Sequence, residues 1–188
     1  MLIGSKNIVV GKEIEPGYYD IIALEGHSEF FGRKMRENTT LHAVPLWENN
    51  RFFVAGKVEL VPPVFGSVIQ DENSLIIKNS GYYVVGEEIP EGDYILMKPE
   101  DDTCKVFVDI KNEKQNESTY TIQWDREISQ LQGNAHIHLK NGYQIFVMVE
   151  DQNHYVAEHA KLALEKRNDI TFENVFRLDL KTLFRQAE

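Results

Sequence analysis

From Ile8 to Val149 the chain reads as short apolar runs separated by glycine, proline and asparagine, a pattern of strands and turns. One run repeats. Val9 to Tyr19 (VVGKEIEPGYY) returns as Val84 to Tyr94 (VVGEEIPEGDY), identical at seven of eleven positions and displaced by 75 residues. Self-similarity at a fixed spacing predicts two copies of one unit, not one fold with a single centre. Each copy opens on a strand, Ile8-Val9-Val10 or Tyr82-Tyr83-Val84-Val85, and then meets Gly11 or Gly86. Pro16 and Gly17, or Pro90 and Gly92, follow. A tight turn is expected there, with glycine supplying a positive φ. Tyr19 and Tyr94 fall at one place in the next strand, where a ring packs across the turn onto the core.

The copies also end alike. Val44 to Val54 matches Ile137 to Val147 at a spacing of 93 residues, so the second copy is longer by 18. Glu48-Asn49-Asn50 and Lys140-Asn141-Gly142 tolerate left-handed backbone, and a closing β-hairpin is predicted in each copy. The added length lies between Glu100 and Gly133, where Cys104 to Ile110 and Thr119 to Trp124 read as an extra hairpin. Tyr120, Ile122 and Trp124 share one strand face. Leu75-Ile76-Ile77 mirrors Met1-Leu2-Ile3 as a lead-in strand, after a linker at Gln70 to Ser74. Units this small are marginal alone, so the first copy is expected to lean on the second along a buried seam.

After Glu150 the period changes. Tyr155, Val156, His159, Ala160, Ala163 and Leu164 recur at helical spacing and predict a helix over His154 to Arg167, with a second over Asn174 to Gln186. The expected fold is therefore mainly β: two tandem antiparallel sandwich or jelly-roll-like modules, residues 1–70 and 74–153, and a C-terminal helical tail, 154–188. That tail carries more apolar surface than short helices bury on themselves, so it is expected to self-associate or dock on a protein partner.

Composition narrows the partners. A formal charge of −10 and a pI near 5.1 leave no basic stripe for phosphates, which excludes nucleic acid and an anionic membrane surface. No apolar stretch reaches the roughly 18 residues of a membrane span. Cys104 is the single cysteine, so no intrachain disulfide forms. With no signal-peptide pattern in MLIGSKNIVV, a cytoplasmic location is expected.

The pattern V-G-x-E-I-x-x-G-x-Y resembles a β-rich repeat of uncharacterised bacterial proteins, whose core reads G-x-D-I-P-A-G-x-Y. Gly86, Glu88, Ile89, Pro90, Gly92 and Tyr94 follow it, and Gly11, Glu13, Ile14, Gly17 and Tyr19 follow it with the proline displaced. The resemblance covers Ile8 to Val61 and Tyr82 to Val149, implies a fold, and brings no catalytic residues.

Candidate chemistry is sparse. His136 and His138 point to one strand face and offer half a metal site, but Lys140-Asn141-Gly142 stands where a further ligand belongs. His154 and Glu158 share a face only on a helix. Cys104 has the acidic run Glu100-Asp101-Asp102 beside it, which opposes thiolate formation; the run itself lacks the spacing of a calcium loop. Glu87-Glu88 and Asp125 with Glu127 are paired acids with nothing to place them in a cleft. Trp47, Tyr120 and Trp124, with Tyr18, Tyr82 and Tyr83, are candidates for sugar stacking against the ordinary reading of strand aromatics as core. No Walker loop, G-x-G-x-x-G or G-x-S-x-G occurs, and no cofactor is expected. A non-enzymatic binding or scaffolding protein is the first expectation. A carbohydrate-binding module comes second, and a metal-dependent enzyme on His136 and His138 third.

Overall fold

The computed structural model describes residues 1–64, 68–70, 74–97, 104–112, 117–124 and 134–167. These are strands and turns with no helix. The strands run in chain order as β1 (Leu2–Ile3), β2 (Lys6–Val9), β3 (Gly17–Ala23), β4 (Ser28–Phe30), β5 (Arg33–Met35), β6 (Thr40–Leu46), β7 (Arg51–Ala55) and β8 (Val58–Val61). They continue as β9 (Val68–Gln70), β10 (Ser74–Ile77), β11 (Ser80–Val84), β12 (Gly92–Leu96), β13 (Lys105–Asn112), β14 (Glu117–Trp124), β15 (Ala135–Leu139), β16 (Tyr143–Glu150) and β17 (Leu162–Arg167). They form three sheets. An eight-stranded sheet has the order β1-β8-β3-β6-β11-β16-β13-β14, a five-stranded one β15-β12-β17-β10-β9, and a four-stranded one β2-β7-β4-β5.

Alternation of side chains builds two cores. Ile21, Leu46 and Leu60 of the large sheet meet Phe30, Met35 and Val54 of the four-stranded sheet. Tyr83, Val108 and Val147 of the large sheet's other half meet Tyr94, Leu139 and Leu164 of the five-stranded sheet. On β16, Ile145, Val147 and Val149 face the second core, while Met148 joins the first and Phe146 packs against it. The two smaller sheets therefore cover opposite faces of the large one, offset along it, because side chains of one strand alternate between faces.

The repeated segments adopt the same local geometry. Gly11 and Gly86 have φ of 89° and 98°. Each donates its N–H across the turn, Gly11 to the Ile14 carbonyl at 2.7 Å and Gly86 to that of Ile89 at 2.8 Å. The Tyr19 and Tyr94 hydroxyls donate to the Glu15 and Pro90 carbonyls at 2.9 and 2.8 Å, closing each corner. Gly17 and Gly92 lie over those rings, where an added Cβ would sit 3.5 and 3.6 Å from ring carbon.

Two expectations are corrected. The Glu48-Asn49-Asn50 and Lys140-Asn141-Gly142 turns do not close hairpins, since β6 and β7, like β15 and β16, lie in different sheets. Their backbone groups pair instead with the neighbouring corner: Val10 N–H donates to Asn50 at 3.0 Å and Val85 N–H to Tyr143 at 2.8 Å. Asparagine and glycine specify a turn but not which strands pair across it. The helix over His154 to Arg167 is also absent. Residues 151–161 run as turns and single bridges, and β17 inserts between β10 and β12, pairing Leu164 with both Leu75 and Leu96. Leu162 and Leu164 alternate inward, and a strand slot flanked on both sides outweighs the helical propensity of Ala-Leu-Glu-Lys. The second predicted helix, at 174–186, lies outside the described residues.

Ending the chain at Asp151 removes a central strand and two buried leucines, so it is expected to abolish cooperative unfolding of the second core. A chain ending at Arg167 keeps every described strand. Urea titrations followed by Trp124 fluorescence check this, and equal midpoints for the two chains would refute it.

Candidate functional site

The joint between the halves of the large sheet is the one place where β6 and β11 run parallel, Ser80 beside Leu41 and Gly81 beside His42. The approach is close enough that a Cβ on Gly81 would lie 2.1 Å from the His42 carbonyl oxygen. Glycine is required there on space alone. Opposite, β6 bulges against β3: the register shifts between Tyr19 and Ile21, and Asp20 faces the extra residue. Ala43 takes φ of 44° there, an uncommon conformation for a residue with a side chain. Its freed N–H donates to Asp20 Oδ1 at 2.8 Å, and the Val64 N–H donates to Asp20 Oδ2 at 3.0 Å.

The bulge aims His42 into the joint. Nδ1 lies 2.8 Å from Asp20 Oδ1 and Nε2 lies 2.8 Å from Glu88 Oε1. Both ring nitrogens face carboxylates, which only accept, so both carry protons and the ring is an imidazolium. Burial opposes that charge, but hydrogen bonds and field from Asp20 and Glu88 outweigh it and raise the His42 pKa to about 9. Burial also opposes the Asp20 carboxylate, and its bonds from His42, Ala43 and Val64 more than offset this, leaving its pKa below 3.8. The ring sits 4.9 Å from Tyr83, whose hydroxyl donates to the Asn79 carbonyl at 2.6 Å. His42 has a side chain 1% exposed. With both nitrogens occupied and no solvent path, it is a latch between β3, β6 and the turn after β11, not a general base.

The other face of the same joint is open. A groove of about 350 Å³ lies between the β4–β5 turn, the end of β6 and the face of β11 and β16. Phe31, Arg33, Trp47, Tyr82 and Phe146 line it. A second hollow of about 260 Å³ adjoins it, shares Arg33 and Met148, and reaches Phe107 and Gln123. Tyr82, Phe146 and Phe107 come from adjacent strands, with ring centroids 4.7 and 6.1 Å apart. Trp47 and Phe31 remain 54% and 44% exposed. Tyr18 meets Trp47 edge-on at 5.6 Å, and Phe31 stacks on Phe52 at 4.3 Å. Arg33 bridges to Glu150 of the second hollow at 2.6 Å.

No protein-family model, no curated protein and no solved structure matches the chain.

The sequence candidates fall in several places. Trp124 is 2% exposed within the second core, which removes its indole from any surface, and Tyr120 packs half-buried beside it. Trp47 lies on the groove. Gly11, Gly17, Tyr19, Gly86, Gly92 and Tyr94 form the two corners and are not among the groove's lining residues. His136 and His138 do share the outward face of β15, and His138 Nδ1 lies 2.7 Å from Asp93 Oδ1. Among the described residues no three His, Cys, Asp or Glu side chains gather as a metal site. Cys104 packs against the second core. His154 and Glu158 sit in turns, on no common helical face. Glu88 left its sequence neighbour for His42.

Sequence reasoning missed Asp20 and His42. The signal was available in the repeat: by the matched spacings, Asp20 stands where the second copy has Ile95, and His42 where it has Ala135. Polar residues at positions apolar in the other copy mark something local to the first.

Replacing His42 by alanine leaves two buried carboxylates without their cation and is expected to cost about 3–5 kcal/mol. Because the folded pKa of His42 is raised from 6.5 to about 9, its contribution is complete below pH 6.5 and disappears as pH climbs through about 9. Asp20, with a lowered pKa, adds a limb lost as pH falls below 3.8. Urea midpoints from pH 5 to about 10 should decline on the alkaline side in the native chain and stay flatter in His42→Gln. Parallel curves would show that His42 carries no buried charge.

Proposed function

We propose that the chain is a non-enzymatic binding protein built from two fused copies of one antiparallel sandwich module, with its ligand site in the groove at their joint. Strand order supports the duplication. In the first copy β1-β8-β3-β6 packs on β2-β7-β4-β5; in the second β10-β17-β12-β15 packs on β11-β16-β13-β14. Taken by chain position within each copy, the two orders coincide, and β17 holds the place of β8. Fusion then follows from edge pairing of β6 with β11.

The observation that carries the binding reading is that both copies wall the groove. Phe31, Arg33 and Trp47 come from the first, Tyr82, Phe146 and Met148 from the second. Its volume lies within the range of small-ligand sites, and its lining is aromatic with a few polar groups. The buried acid–base cluster lies on the opposite face, closed to solvent, so the accessible chemistry is recognition. Amide NMR spectra titrated with a mixed set of small sugars, peptides and nucleosides are expected to shift at Phe31, Gly81 and Tyr82. Shifts confined to surfaces away from the groove would overturn the assignment.

The docking role of the tail now rests on residues 168–188, outside the described residues, because 154–167 serves the fold. Light scattering of the full chain against one ending at Arg167 is expected to show a smaller mass for the shorter chain. Equal masses would remove self-association through that segment.

A further inference from the structure

We infer that the groove takes a neutral glycan, an inference that rests on the groove being the ligand site. Three observations converge on that class. First, the floor of the groove and of the hollow that adjoins it is a row of rings, Tyr82, Phe146 and Phe107, rising from three adjacent strands on the sheet face turned away from the second core. An antiparallel sheet normally presents polar side chains on such a face. Here Phe107 and Phe146 border the first core, and the row runs on beyond the four-stranded sheet with all three rings only partly covered.

Second, planar polar groups edge the row. Asn50 lines the groove and Gln123 the adjoining hollow, while Arg33 lines both and pairs with Glu150. Together they offer donors and acceptors side by side, the arrangement that meets vicinal hydroxyls. A pyranose ring has the matching duality: axial C–H groups that lie on an aromatic face and equatorial hydroxyls that reach its rim.

Third, charge argues against the alternatives. Arg33, which lines both hollows, is neutralised by Glu150 at 2.6 Å. The molecule as a whole carries −10, which repels phosphorylated or uronic-acid ligands. A peptide adding as a β-strand would seek unpaired backbone N–H and C=O groups. At Phe146 and Phe107 the floor strands are paired on both sides and offer none, and β11 is paired with β6 at Ser80 and Gly81.

Emission provides the readout, since Trp47 is exposed on the groove and Trp124 is buried in the second core. The full chain is titrated with cellohexaose, maltohexaose, xylohexaose and chitohexaose, and in parallel with polygalacturonate and a proline-rich decapeptide. One neutral hexasaccharide is expected to shift Trp47 emission saturably. Tyr82→Ala and Phe146→Ala are each expected to weaken it by about tenfold, the loss of one stacking platform. Phe53→Ala, exposed outside the groove lining, is expected to leave affinity unchanged, and urea midpoints verify that all variants fold. Binding of the peptide or polyanion alone, lost in Tyr82→Ala, would overturn the glycan class and keep the groove as the ligand site. Glycan binding unaffected by Tyr82→Ala and Phe146→Ala, or no probe bound at millimolar concentration, would overturn both.

Discussion

The parallel pairing of β6 with β11 governs this molecule. It is short, and it demands that two chains approach without a side chain between them, which Gly81 permits against the His42 carbonyl. A short parallel ladder is weak by itself. The imidazolium of His42, held between Asp20 and Glu88, ties the strands that flank it. Charge in a buried place is costly unless each donor finds an acceptor, and here the bulge at Ala43 supplies the geometry that satisfies Asp20. A strained backbone position, a glycine and three ionised groups thus form one device that sets the register of the joint.

Register at the joint decides what the opposite face can do. Leu41 and Val44 descend from one side of it and Tyr82 from the other, so the groove is as well defined as the pairing beneath it. The joint is also used once. Glu13, the repeat partner of Glu88, caps its own turn by accepting from Val9 N–H at 2.8 Å. Lys6 stands where the second copy has Gly81, and Ala135 where the first has His42. The edge strands β2 and β15 therefore lack the residues that make the central contact.

A second tie runs around the outside. After β16 the chain lies against β5, with Val156 N–H donating to the Lys34 carbonyl at 2.8 Å and Arg36 stacked 4.5 Å over Tyr155. Arg36 also pairs with Asp151. The Arg36 ion pair is a surface contact and weak by itself, whereas Val156 is buried in the first core. Their effect is directional: they lead the chain from the first core's hairpin to the slot that β17 fills. In the first half the same connection, Gly56-Lys57, is a bare turn between β7 and β8.

Much of the local structure was written in the sequence. Glycine and proline marked the corners because only certain residues accept their φ, and period-two alternation marked β13 and β14 because a sheet face buries every second residue. The likeness of the two corners was visible because their residues answer to local sterics. What tertiary structure decided was partnership. Whether Asn49-Asn50 closes a hairpin or crosses between sheets depends on Val10 waiting at the neighbouring corner, and whether Leu162 to Arg167 coils or extends depends on an empty slot between β10 and β12. The latch was hidden for the same reason: Asp20, His42 and Glu88 are far apart along the chain, and each reads as an ordinary polar residue until a bulge, a glycine and a parallel ladder bring them within hydrogen-bonding distance.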